Sequence, residues 1–295
     1  VLIKKFLEYI QFEKRCSPHT VTSYRRDLSD FLEFLLKTES TKDTLFVDKK
    51  IIRNFVIFLG EKNISGRSIN RKISCIRSYY LFLMKIGELK ASPVEGVYSL
   101  KFHPERQVPM SEEEMFSLRR VFIEKSDILS EIIIETLYQT GIRRIELCNL
   151  EYKDVDFNSK HIRIIGKGNK HRNVPISPNL ESLLMEYINH RKPLKDFQHL
   201  FFVNKKGKKI SEKFVYLKVK EYLGYVSSKK KKSPHILRHS FATHILNNGG
   251  EIFAVKEILG HSSLISTQVY TDASIEKLKK VVNCAHPRAI KKGEL

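Results

Sequence analysis

A chain of 295 residues is too long for one small core and points to two domains. Its 41% apolar content excludes a disordered chain, and no apolar run approaches the length of a membrane span. The 53 Lys and Arg against 33 Asp and Glu leave a net charge of +20, an excess that suits a polyanionic partner, nucleic acid ahead of a membrane surface.

The four cysteines, Cys16, Cys75, Cys148 and Cys284, are scattered and form no C-x-x-C pair. A disulfide framework and a cysteine-built zinc site are therefore not expected, and a cytoplasmic location fits. No charged stretch followed by an apolar one opens the sequence, so no signal peptide is expected.

Residues 1–100 read as a helical bundle. Val1–Glu13 carries a helical stripe of Leu2, Ile3, Phe6, Leu7 and Ile10. Ser17-Pro18 reads as the start of a second helix running to about Lys37, with Val21, Tyr24, Leu28, Phe31, Leu32, Phe34 and Leu35 as its buried side. Asp48 can cap a third helix through Leu59, and Ser68 a fourth from about Ile69 to Ile86. The polar faces are basic, with Arg25, Arg26, Arg67, Arg71, Lys72 and Arg77. Charges of this kind usually just solvate a helix. At Arg67–Lys72, however, they gather at a helix start, and this suits phosphate, so Arg67, Arg71 and Lys72 are candidate DNA contacts.

Residues 101–110 read as an interdomain linker, with Pro104 and Pro109 and a boundary near residue 105. Ser111-Glu112-Glu113-Glu114 has the capping-box pattern and opens a second domain, residues 111–295. Ile128–Gln139 is an apolar helix stopped at Thr140-Gly141. Val155–Phe157, His161–Ile165 and Asn173–Ile176 read as three short strands, with a fourth at Leu200–Val203. Asn179–Arg191 and Glu212–Tyr222 are helical, and Lys229–Lys232 is a basic loop.

Chemistry-bearing residues concentrate between Ser233 and Tyr270. A pentacoordinate phosphorus carries more equatorial charge than the diester it forms from, and fixed cations stabilise it preferentially. Arginine suits the task because its planar fork stays protonated. Arg238 is one candidate, and His235, three residues earlier, can share its helix face. The octet Thr140–Leu147 offers a second arginine, Arg143 or Arg144, at a helix junction. A general acid for the leaving oxygen could be Lys167 in the turn Gly166-Lys167-Gly168-Asn169-Lys170. Tyr270, following His261, is the candidate nucleophile. Each motif alone also fits a solvated surface or a packed aromatic ring.

Taken together they resemble a known family. Gly141-Ile142-Arg143 with Glu146-Leu147, Gly166–Arg172 with Val174-Pro175, His235–His239, Leu259–Ser263 and Tyr270 are similar, in order and spacing, to the motifs of a tyrosine recombinase (phage-integrase family) of the Xer type. Ser17–Leu28 resembles that family's core-binding domain, S-x-x-T-x-x-x-Y-x-x-D-L, and Ala285-His286-Pro287-Arg288 its tail. One departure is Arg144-Ile145, where the family has an aliphatic residue and then Ser; Gly141 and Glu146-Leu147 set the register on Arg143.

The resemblance implies a mainly α fold, with a helical core-binding bundle and a mostly helical catalytic domain holding a small three-stranded sheet. It implies catalytic roles for Arg143, Lys167, His235, Arg238, His261 and Tyr270, supporting roles for His239 and Glu146, and further DNA contacts at Lys170 and Arg172. It also implies a 3′-phosphotyrosine intermediate with neither metal nor cofactor. The implied partners are duplex DNA with a short inverted-repeat site, a homo-tetramer or paralogue hetero-tetramer on that DNA, and a DNA translocase. The C-terminal helix, at Ala273–Val282, would dock on a neighbouring protomer. Chromosome dimer resolution is the expected role. The alternatives are an integrase or resolvase of a mobile element or plasmid, a type IB topoisomerase-like enzyme, and a non-catalytic DNA-binding protein.

Overall fold

The structure, a computed structural model, describes residues 1–101, 107–166, 171–260 and 272–289, without the side chains of 272–274 and 277. Lys167, Lys170, His261 and Tyr270 lie outside the described residues. The chain divides into two compact units, Val1–Glu105 and Arg106–Leu295. The fold class is the one expected, with helices predominating and one three-stranded sheet.

The first unit contains α1 (Leu2–Glu8), α2 (Pro18–Thr38), α3 (Lys49–Glu61) and α4 (Gly66–Lys85). After α1 the chain widens into a π-helical turn over Tyr9–Glu13, where the Lys14 N–H donates to the Tyr9 carbonyl at 3.0 Å. Helix α2 begins as its sequence predicts, with Ser17 Oγ accepting from the Thr20 N–H and Pro18 in the first turn. Asp48 caps α3 through the Ile51 N–H. The cap of α4 is Ser65 and not Ser68: Ser65 Oγ accepts from the Ser68 N–H, so the helix starts one turn earlier than expected. The core packs Phe6, Leu28, Phe31, Phe34, Phe55, Ile76 and Leu83, with Tyr79 and Tyr80 tied to Thr44 at 2.7 and 2.9 Å. Residues after α4 stay with this core. Val94 and Val97 are buried in it, and the Asn70 amide clasps both backbone groups of Leu100.

The second unit is built around α6 (Ile128–Thr140), which is buried from Leu129 onward except at the half-buried Glu131. Gly141 ends it in the left-handed conformation, φ 62°. The capping box at Ser111 forms and starts α5 (Glu112–Lys125). The short helix α7 (Arg144–Cys148) leads to β1 (Val155–Asp156), β2 (His161–Ile165) and β3 (His171–Pro175), an antiparallel sheet in that order. Leu200–Val203 does not join the sheet; it makes only isolated bridges, Glu151 to Leu200 and Val203 to Lys209. Its Phe201 and Phe202 are instead fully buried, which explains why a strand-like apolar run occurs there.

Helices α8 (Pro178–His190), α9 (Glu212–Val226), α10 (Pro234–Asn247) and α11 (Ile252–Leu259) surround α6 and the sheet. The helix expected at Ala273–Val282 spans Asp272–Ala285 (α12). In this single chain its Leu278, Val282 and Ala285 are buried in their own unit, against α10, α11 and β3. The tail behind it is tethered by a buried polar chain. His286 accepts from the Arg288 N–H through Nδ1, its Nε2 lies 3.3 Å from the Tyr138 carbonyl, and Arg288 forks onto Glu135 at 2.5 and 3.1 Å.

Candidate active site

Three arginines from distant parts of the second unit converge on the C-terminal end of α11. Arg172, on β3, donates from Nε to the Ile258 carbonyl at 2.7 Å. Arg238, in the second turn of α10, donates to the Leu259 carbonyl at 2.6 Å and to the Gly141 carbonyl at 2.6 Å. Arg143, the residue before α7, places Nη2 3.5 Å from the Gly260 carbonyl. Three consecutive carbonyls that the helix cannot satisfy internally thus each face a guanidinium, and the negative end of the helix dipole favours that charge. Gly260 caps the helix in the left-handed conformation, φ 64°.

Glu146 holds the cluster together. Its carboxylate accepts from Arg172 at 3.0 and 2.6 Å, from the Arg143 guanidinium at 2.9 Å and from the Arg143 N–H at 2.7 Å. Burial alone would raise its pKa, but the bonds to Arg172 and Arg143 overcome that and hold it below the usual carboxylate value. The net result is an excess of positive charge at the end of α11. Arg238 shows the strain: burial, then the charges of Arg143 and Arg172, push its pKa down to about 10.

The structure separates the two adjacent arginines. Arg144 points to α9, where it pairs with Glu212 at 2.7 and 3.0 Å, while Arg143 joins the cluster. His235 lies in the first turn of α10, exposed, and its pKa is lowered by desolvation first and then by Arg144, Arg238 and Arg143. It is therefore a neutral imidazole at neutral pH, able to accept or donate one proton. His239 is exposed on the same helix.

Two sequence-based expectations are corrected. Arg172 is only 4% exposed and all three of its guanidinium nitrogens are engaged, so it does not reach DNA. Lys72 is likewise buried, its ammonium held by Asp27 and Asp30, and burial offset by those carboxylates leaves its pKa raised. Arg71 pairs with the fully buried Asp27 and donates to Ser23 at 2.5 Å, yet keeps 47% of its side chain exposed. Arg67 is exposed in the first turn of α4.

From the sequence Glu146 has only a supporting place, and the α11 carbonyls are not visible at all. Glu146 carried a signal, an acidic residue three positions after an arginine at a helix start. The carbonyls carry none, since backbone groups do not show in a sequence.

Comparison with known proteins agrees with this fold. The profile "Phage integrase family" matches residues 109–277, and "Phage integrase, N-terminal SAM-like domain" matches residues 3–87. The chain belongs to the phage integrase family and is a tyrosine recombinase, a class that cleaves and rejoins DNA strands. Among its relatives are Tyrosine recombinase XerC of Chlorobaculum parvum, 35% identical over 97% of this chain and 94% of that one, and Tyrosine recombinase XerC of Staphylococcus aureus (strain USA300 / TCH1516), 35% identical over 98% and 97%. In fold it resembles the XerH site-specific recombinase bound to palindromic difH substrate (TM-score 0.71, 20% identity, 97% of this chain and 82% of that one). It also resembles a lambda integrase dimer bound to a core site (TM-score 0.73, 13% identity, 91% and 97%).

No helix among the described residues is long and apolar enough to cross a membrane.

Proposed function

We propose that the chain is a site-specific recombinase of duplex DNA that uses Arg143 and Arg238 to clamp the scissile phosphate. In this reading the Tyr270 oxygen attacks phosphorus, the P–O5′ bond breaks, and Lys167 delivers a proton to the departing 5′ oxygen. His235 and His261 hydrogen-bond the phosphate and assist proton movement. The product is a 3′-phosphotyrosine, which keeps the energy of the diester and allows rejoining without nucleotide hydrolysis. The observation that carries the reading is the convergence of Arg143, Arg172 and Arg238 on the end of α11. Such preorganised cations stabilise the charge that develops in the transition state and need little rearrangement during reaction.

Arg67 and Arg71 remain the proposed phosphate contacts of the first unit, with Lys170 in the second. The partner is a duplex with a short inverted-repeat site, occupied by four protomers of this chain or of this chain and a paralogue. The helix Asp272–Ala285 would pack on its own unit in the free chain and on a neighbour in the tetramer. Similarity to Tyrosine recombinase XerC over nearly the whole chain favours chromosome dimer resolution, in the cytoplasm and with a DNA translocase as activator, over integration of a mobile element.

The test is single-turnover cleavage of a nicked duplex alongside DNA binding. Arg143→Ala and Arg238→Ala are each expected to lose on the order of 10²-fold or more in cleavage, with binding retained, while Arg144→Ala cleaves nearly as wild type. Wild-type cleavage by Arg143→Ala or Arg238→Ala would overturn the clamp.

A further inference from the structure

The carboxylate of Glu146 has two oxygens and room for about four donors. All four places are taken. Arg172 supplies two side-chain N–H groups, and Arg143 supplies one side-chain N–H and its backbone N–H. Arg143 is thus held by one edge only. Among the described residues, its other terminal nitrogen has just the 3.5 Å approach to the Gly260 carbonyl. A guanidinium and a carboxylate prefer to meet through two parallel bonds. Arg143 does not achieve this because Arg172 already occupies the fork.

We propose that Arg172 is a positioning residue for strand cleavage: by filling the fork of Glu146 it keeps Arg143 from being captured by that carboxylate, and leaves the free edge of Arg143 for the scissile phosphate. This rests on the assignment of Arg143 to the phosphate clamp. Three further observations support it. The Arg172 side chain is anchored at its other end by the Ile258 carbonyl, one residue before the carbonyl that receives Arg238. A single rigid group therefore sets both Glu146 and the end of α11. Its Cδ lies 3.0 Å from where a Cβ on Gly260 would stand, so the turn closes directly over it. Its charge also matters, because three guanidiniums against one carboxylate leave two positive charges for a phosphorane, and without Arg172 one remains.

Removal of Arg172 therefore does more than delete a buried cation. The two emptied positions on Glu146 would be taken by its nearest remaining guanidinium, Arg143, turned inward into a fork. The lost activity would then be caused by the Glu146 carboxylate itself. That gives a distinctive signature: a second substitution that removes the carboxylate charge should restore activity to the Arg172 variant while harming the wild type.

The experiment uses the full chain, a nicked duplex for single-turnover cleavage, a mobility shift for binding, and thermal unfolding as a check on folding. Arg172→Gln is expected to bind within about twofold of wild type, as befits a residue that does not touch DNA, and to cleave roughly tenfold to a hundredfold more slowly, the scale of a misplaced reacting group. Adding Glu146→Gln to Arg172→Gln should raise cleavage several-fold over Arg172→Gln alone, whereas Glu146→Gln in the wild type lowers it. Arg172→Lys, which keeps the charge but cannot fork, should fall between wild type and Arg172→Gln.

Cleavage at the wild-type rate by Arg172→Gln, or by Arg172→Lys if the glutamine variant does not fold, would overturn the proposal. So would purely additive losses in the double variant, which mark a structural role, or loss of binding in step with cleavage, which marks a DNA contact. Wild-type cleavage by Arg143→Ala would instead remove the clamp assignment beneath it, a result that none of the Arg172 variants can produce.

Discussion

Replacing Gly141 by alanine tests the link between the end of α6 and the arginine cluster. Gly141 has φ 62°, a conformation that costs an L-residue roughly 1–2 kcal/mol. A Cβ there would stand 2.6 Å from Phe241 Cδ1 and 2.8 Å from Leu259 Cδ2, distances that force both side chains or the backbone to move. Overpacking of this kind typically adds about 1–3 kcal/mol. A mid-range loss of about 3 kcal/mol in a unit of this size lowers Tm by roughly 6–12 °C. The functional cost follows from position, because the Gly141 carbonyl holds Arg238 and only Ile142 separates Gly141 from Arg143. A shift approaching 1 Å can reduce catalysis on the order of 10²-fold. Gly249→Ala is the control, since Gly249 has φ 81° but nothing within 4 Å of the added carbon, so only the conformational cost of about 1–2 kcal/mol applies. Both variants are measured by thermal unfolding and by cleavage of a nicked duplex well below the melting range. An unchanged Tm for Gly141→Ala, or equal losses in the two variants, would show that close packing at the end of α6 does not hold the cluster in place.

Two other predictions concern the tail behind α12. Arg288→Met leaves the Glu135 carboxylate buried without its partner and should destabilise the second unit by about 3–5 kcal/mol, while Glu135→Leu with Arg288→Met should recover most of it, both read by urea unfolding. The His286 imidazole is wholly buried, and burial pushes its pKa down to about 3. The folded chain therefore keeps it neutral while the unfolded chain protonates it below about pH 6.5, so stability falls as pH falls, by about 1.4 kcal/mol per pH unit from this group. His244, also lowered by burial, adds in the same direction. His286→Gln should flatten the acid limb between about pH 6.5 and 5 by roughly 2 kcal/mol; an unchanged slope would show that the ring titrates normally.

How much of this was legible in the sequence depended on whether a residue's partner was local. Ser17, Asp48 and Ser111 mark helix starts within three residues of what they bind, and the structure has all three. Ser68 misled because Ser65, three residues earlier, competes for the same role and lies at the end of the loop. Arg172 and Lys72 look like DNA contacts in the sequence because a basic residue in a basic stretch looks exposed; the carboxylates that neutralise them are 26 residues away at Glu146 and 45 away at Asp27. Leu200–Val203 has the composition of a strand but is a buried aromatic segment, and periodicity does not separate the two over four residues. The arginine cluster needs β3, α10, α11 and the start of α7 at once, so only the family resemblance, not local pattern, indicated it.

The nucleophile is tested most directly by trapping the covalent intermediate on a duplex nicked beside the cleavage point and identifying the modified peptide by mass spectrometry. An adduct joined through a 3′ phosphate to Tyr270 is expected, and none with Tyr270→Phe, although that variant still binds the duplex. An adduct at any other residue, or one that persists in Tyr270→Phe, would contradict Tyr270 as the nucleophile.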